Sequence, residues 1–233
     1  IFSTPRFDSK DNKFSIYLLL FLNVYQIVHQ KKLPQTLRLN SKEFPVHDKK
    51  ILFIDHYDSF SNNLIAFFEE RSFVVEKIQS EDLNTQSVLK YMEDFVLIIF
   101  SPGPGQPTDY PNSLELYKNI PQAKPFLGVC LGHQILLHSY SIPITQISQR
   151  PIHGRQVSFN QTIHTKIGPI LLAGSAVLYN SLGASCKEKQ FHANFISHGD
   201  ENGINLIAEH KIFPHWGVQF HPESFASTIG QNF

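Results

Sequence analysis

The chain has 233 residues, enough for one large domain with a sizeable core or for a domain plus an appendage. Its 20 basic and 20 acidic residues cancel, and charged residues make up only 17%, which argues against a polyanionic partner such as nucleic acid. Two cysteines make no disulfide framework and show no zinc-ligand spacing, so a reactive cysteine here would imply a reducing compartment.

The chain begins at Ile1 rather than methionine, which predicts a fragment or a processed product. Residues 1–49 read as an N-terminal extension unlike the rest of the chain. Their apolar run IYLLLFLNVYQIV, residues 16–28, is interrupted by Asn23 and Gln26. It falls short of the roughly 20 residues that span a bilayer. A secretory h-region has about this length, but no clear A-x-A-like cleavage site comes after it. A targeting extension, a docking helix and sequence foreign to the domain all stay open.

From Lys50 the pattern turns regular, and residues 50–233 read as one domain. KKILFID is a short apolar run suited to a buried parallel strand. SFSNNLIAFFEE places Leu64, Ile65, Phe67 and Phe68 at helical spacing, with Ser61 as the expected N-cap. FVVEKI is short and β-branched, a second strand. TQSVLKYME predicts a helix and FVLIIF a third strand. NSLELYKNI predicts another helix, and an apolar run from Phe126 to Val129 another strand. Alternation of this kind argues an α/β fold, an open and mostly parallel sheet with helices on both faces. Beyond about residue 140 the runs shorten and become more β-like, which predicts a small antiparallel region. Ligands of such sheets bind beyond the carboxyl ends of the strands. Asp55, Ser101 and Cys130 all fall at strand ends, so they are expected to face one crevice.

Three motifs sit at those ends. In FLGVCLGHQIL, Cys130 stands between Gly128 and Gly132, after a strand and before a helix. That is the layout of a nucleophile elbow, whose tight turn excludes side chains two residues either side of the nucleophile. A sulfur there lies near a helix N-terminus, where free N–H groups favour the thiolate. Alone, the same residues fit a small core cysteine between packing glycines. GVQFHPES ends in His221-Pro-Glu223, and in an extended chain an imidazole and a carboxylate two residues apart share a face. Glu223 could then hold one ring nitrogen while the other meets sulfur. SPGPG, residues 101–105, is a proline-stiffened loop whose glycines can aim backbone N–H groups at an oxyanion. Each motif alone has a structural explanation, but the three together argue for chemistry.

The elbow, SPGPGQP, His153-Gly154 and GVQFHPES together resemble the class I, or triad, glutamine amidotransferases. FIDHYDSFSNN resembles the subgroup paired with chorismate-using synthases, the glutaminase parts of aminodeoxychorismate (p-aminobenzoate) synthase and anthranilate synthase. The resemblance covers essentially all of the chain after the extension. It implies a triad of Cys130, His221 and Glu223, with oxyanion donors from Gly103 and the amide of Leu131. It also implies that Gln134 and the backbone of Ser181 and Leu182 hold the substrate glutamine. The reaction implied is hydrolysis of the glutamine side-chain amide, with ammonia passed to a synthase partner and no cofactor or metal in this half-reaction. Chorismate and Mg²⁺ would belong to the partner, and the HYDSF loop, residues 56–60, is the expected docking surface. No membrane or nucleic-acid partner is expected. The expected compartment is cytoplasmic, with organellar targeting by residues 1–49 left open.

Two departures stand out. The subgroup carries Arg-Tyr-His-Ser-Leu where this chain has LYNSL, residues 178–182, so Asn180 replaces a histidine. After the elbow helix, SYSIPIT replaces a common Gly-Gly. GDENGINLIAEHKIFPHWGVQFHPES resembles the p-aminobenzoate-forming enzymes, which tilts the expectation towards aminodeoxychorismate synthase over anthranilate synthase. A non-catalytic synthase-binding regulatory module and a cysteine hydrolase of another substrate are the competing readings.

Overall fold

The computed structural model describes residues 50–70, 72–147, 154–166, 168–224 and 227. The N-terminal extension and His153 lie outside the described residues. A seven-stranded sheet runs in the order β2 (Val74–Gln79), β1 (Lys50–Asp55), β3 (Leu97–Phe100), β4 (Phe126–Val129), β11 (His215–Val218), β10 (Asn205–His210), β9 (Phe195–Gly199). The first five strands pair in parallel, and β10 then pairs antiparallel with both β11 and β9.

The central strands read as continuous apolar runs because both of their faces are covered. Ile51 and Phe53 of β1 enter one core with Leu64 and Phe68 of α1 (Ser61–Glu69). Leu52 and Ile54, pointing the other way, enter a second core with Val88 of α2 (Thr85–Lys90), Leu116 of α3 (Pro111–Asn119) and Ile135 of α4 (Leu131–Ser139). Each such fully buried side chain contributes on the order of 1.5–3 kcal/mol, so a charge at any of these positions would break the layer.

The expected antiparallel region is present and is divided among three sheets. A long hairpin of β6 (Arg155–Thr165) and β7 (Gly168–Leu178) lays Phe159, Ile163, Leu172 and Ala176 onto the α1 face of the main sheet. A β-ribbon thus joins α1 in covering that face. Two-residue strands β5 (Thr145–Gln146) and β8 (Leu182–Gly183) pair beside it, α5 (Lys189–Asn194) precedes β9, and β9 to β11 join the main sheet.

The expected cap of α1 is also corrected. Phe60 is the N-cap residue and Ser61 begins the helix. Asp55 takes the Ser61 hydroxyl at 2.7 Å, while Asp58 Oδ1 accepts from Phe60 N–H at 2.7 Å and turns the chain into the helix. A buried carboxylate outcompeted the local cap.

Candidate active site

The carboxyl ends of β4 and β11 bring the expected catalytic groups together. Cys130 has φ +50° and ψ −100°, a strained conformation for a residue with a side chain. Its backbone N–H donates to Val218 O at 2.8 Å, which ties the elbow to β11. A Cβ on Gly132 would strike the Phe100 carbonyl, and one on Gly128 would strike the Gly132 backbone. The glycine spacing is therefore a steric requirement of the turn. The sulfur lies mostly buried, with 7% of the residue exposed, at the start of α4.

After β11 the chain continues through Gln219 and Phe220 to His221, whose N–H donates to Val177 O at 2.9 Å. Ser227 Oγ donates to His221 O at 2.5 Å, and Ser224 N–H to the same carbonyl at 3.2 Å, so the HPES turn is closed on itself. His221 Nδ1–H donates to Glu223 Oε1 at 2.8 Å. Phe60 and Tyr179 pack their rings edge-on against the imidazole at 5.7 and 5.0 Å between centroids. Nε2 is buried with no partner in hydrogen-bonding geometry, yet the ring lies within electrostatic reach of Cys130. Burial opposes charge on this ring, but the negative charges of Cys130 and Glu223 outweigh it and hold His221 well above the usual imidazole range. That direction suits a ring that takes a proton from the neighbouring sulfur and holds it.

Asp55 and Ser101 stand at strand ends as expected, but both hold loops together instead of facing a ligand. Asp55 accepts from Ser61 Oγ and pairs with Lys77 at 3.3 Å. Ser101 Oγ accepts from His56 N–H at 2.8 Å and donates to Pro102 O at 2.6 Å. His56, fully buried between Ser101 and Ser113, has its pKa pulled to about 4 by burial, against the opposing charge of Asp55, and stays neutral. This arrangement holds the SPGPG loop over the elbow. Gly103 passes so close that an added Cβ would lie 2.5 Å from His56 Cβ and 2.7 Å from Leu131 Cδ2. Gly103 and Leu131, the two expected oxyanion donors, are thus adjacent, and Leu131 is the first residue of α4, where N–H groups lack helical acceptors.

Gln134 and Leu182 also meet. Gln134 Nε2 donates to Leu182 O at 2.9 Å, and Asn180 Nδ2 donates to the same carbonyl at 2.6 Å. The Ser181 carbonyl accepts from Ile147 N–H at 3.0 Å, which fixes the backbone of this turn. Sequence reasoning passed over Gln219 and placed Asp58 only in the expected docking loop. Gln219, fully buried, donates from Nε2 to Cys130 Sγ at 3.6 Å. Asp58 lies within electrostatic reach of His221 and Glu223, and burial raises its carboxyl above the usual range. Gln219 was visible inside GVQFHPES but read as strand filler. Nothing in HYDSF separated Asp58 from a solvated loop residue. A polar hollow of about 580 Å³ along β6 lies away from this chemistry, its Arg155 paired with Asp200 at 2.6 Å. Among the described residues no group of three or more His, Cys, Asp or Glu is placed to hold a metal ion.

A strand–cysteine–helix elbow thus stands on a parallel sheet beside a His–Glu pair from a neighbouring strand end. The glutamine amidotransferase class-I family model matches residues 52–233, and the chain belongs to that family. Anthranilate synthase component II of Haloarcula marismortui is 31% identical over 185 residues, covering 78% of this chain and 93% of that one. The chloroplastic anthranilate synthase beta subunit 2 of Oryza sativa is 29% identical over 191 residues, covering 78% and 68%. A glutamine amidotransferase of Thermotoga maritima shares the fold, with a TM-score of 0.53 at 15% identity over 76% of each chain.

Proposed function

We propose that this chain is the glutaminase part of a chorismate-using synthase, acting through Cys130, His221 and Glu223. The observation that carries the reading is the strained Cys130 elbow set beside the His221–Glu223 pair. His221 takes the thiol proton, and the thiolate attacks the glutamine carboxamide. The oxyanion forms against the N–H groups of Gly103 and Leu131. His221 returns the proton to the leaving nitrogen, ammonia departs, and water activated by the same ring cleaves the γ-glutamyl thioester to glutamate. Gln134 and the backbone of Ser181 and Leu182 hold the substrate.

Ammonia released into bulk water is largely protonated and loses its lone pair, so a docked synthase with a sheltered path is the expected acceptor. The Haloarcula and rice relatives are anthranilate synthase components, which favours anthranilate synthase as the partner. The sequence preference for aminodeoxychorismate synthase rests only on the residues before His221 and gains nothing from these relatives. No helix among the described residues is long and apolar enough to cross a membrane. The chloroplastic rice relative makes organellar targeting by residues 1–49 the reading to test beside a cytoplasmic one.

The test is Cys130→Ser in the assembled synthase. Glutamine-dependent synthesis should be lost while synthesis from added ammonia stays intact, and assay of the aromatic product names the synthase. Equal loss of both activities would remove the assignment, because it would place Cys130 in folding or docking.

A further inference from the structure

The polar contacts around the sulfur share one direction. Leu182 O can only accept, so the Gln134 atom facing it at 2.9 Å must be the Nε2 donor. The same Nε2 lies 3.2 Å from a Gln219 side-chain atom, which must therefore be the Oε1 acceptor. Gln219 then has its Nε2 turned to Cys130 Sγ at 3.6 Å. Orientation is thus passed from a backbone carbonyl of β8 through two buried amides to the nucleophile. Asn180, in place of the subgroup's histidine, donates to the same Leu182 carbonyl at 2.6 Å and fixes where the relay starts. Gln219 itself cannot swing away, since it is fully buried and its backbone N–H is bonded to Leu206 O at 2.9 Å.

We propose that Gln219 is a further residue of the site, an N–H donor held against the Cys130 sulfur by a relay of amide polarity that starts at the Leu182 carbonyl. The proposal rests on Cys130 being the nucleophile and names what steadies it. A neutral N–H stabilises an anionic sulfur more than a thiol, so the donor favours the thiolate. It also holds the sulfur in one position against His221. Gln134 belongs both to the relay and to the expected glutamine site, so substrate binding and thiolate orientation share one side chain.

Other titratable groups also act on this pair. His221 and Glu223 come from the segment after β11, and Asp58 comes from the β1–α1 loop, with Asp55 behind it. His133 of α4 is fully buried against Gly217, with burial pulling its pKa to about 3. None of these changes when Gln219 is replaced by methionine, which keeps the length and removes the donor.

The experiment measures alkylation of Cys130 by iodoacetamide against pH, resolved by peptide mass from Cys186, in the parent chain and in Gln219→Met. Burial raises the Cys186 thiol above its usual range, so it serves as the internal reference. In the parent, the pH profile of Cys130 alkylation sets the baseline, with Cys186 read beside it. In Gln219→Met the Cys130 midpoint should rise by about one pH unit, roughly tenfold less thiolate below the midpoint, with Cys186 unmoved. An unmoved Cys130 midpoint in the folded variant overturns the relay while leaving the triad in place. A parent chain in which a glutamine-analogue electrophile labels Cys186 and not Cys130 overturns the triad reading itself. Should Gln219→Met fail to fold, Gln134→Leu carries the test, because freeing the Gln219 amide should move the midpoint the same way by a smaller amount. No movement there also overturns the proposal.

Discussion

Glu223 and Cys130 act on the His221 imidazole from opposite sides. The carboxylate takes Nδ1–H at 2.8 Å, which fixes the ring plane and leaves Nε2 for the sulfur. Replacing Glu223 by Gln keeps the size but removes the charge that stabilises the imidazolium formed during attack. In the Glu223→Gln variant kcat should fall by about 10²–10⁴, while KM for glutamine changes only a few-fold. A large rise in KM at constant kcat would make Glu223 a substrate contact instead. The candidate triad could be proposed from sequence because each member sits in a motif whose spacing has a steric reason, the elbow glycines and the His-x-Glu alternation. Gln219 could not, since a glutamine just past an apolar strand announces nothing until its neighbours are known. The same holds for Asn180, whose partner is a carbonyl two residues on, within a turn that periodicity cannot draw.

Helices and strands before residue 140 follow from local pattern, because each buries an apolar stripe or run that the sequence displays directly. The later elements do not, since β6 and β7 alternate weakly and their cover of the sheet depends on contacts far along the chain. The Ser61 cap failed for a related reason, in that Asp55, from the preceding strand, claimed the hydroxyl. Gly132→Ala should destabilise the fold by about 1–3 kcal/mol or more in urea unfolding, because the added methyl meets the Phe100 carbonyl and β3 and α4 must separate. Unchanged stability would mean that the elbow is looser than its packing indicates. On β10, burial raises Glu209 to about 7, against the opposing pull of Lys166. A raised carboxyl leaves stability whole below the unfolded value near 4.5 and loses it as pH rises towards 7. The Tm of Glu209→Gln relative to the parent should therefore improve between pH 4 and pH 8, and a pH-independent difference would contradict this.

At the scale of the whole molecule, the elbow, the oxyanion loop and the β1–α1 loop all open on the same end of the sheet. Tyr57 is half exposed there with φ +64°, and Ser59 beside it is exposed. Asp58 between them is bound into the helix entry and lies within electrostatic reach of His221 and Glu223, so the proposed docking surface is tested through its exposed neighbours. A synthase seated on Tyr57 and Ser59 would press on the loop that leads into Phe60, whose ring touches His221. The isolated chain should therefore turn glutamine over slowly, with a marked rise on adding synthase and chorismate. Tyr57→Ala with Ser59→Ala should blunt that rise and leave labelling of Cys130 by a glutamine-analogue electrophile unchanged. Full turnover by the isolated chain would remove the coupling and leave the triad standing.

The central claim is that the Cys130 sulfur forms a covalent bond to the γ-carboxamide carbon of glutamine. The most direct measurement is acid quench of the synthase complex during steady-state turnover of isotopically labelled glutamine, followed by peptide mass mapping. A labelled γ-glutamyl thioester on the Cys130 peptide, absent from the Cys186 peptide and lost in Cys130→Ser, is the predicted result. Steady ammonia release with no label on Cys130, or the same release from Cys130→Ser, would contradict it.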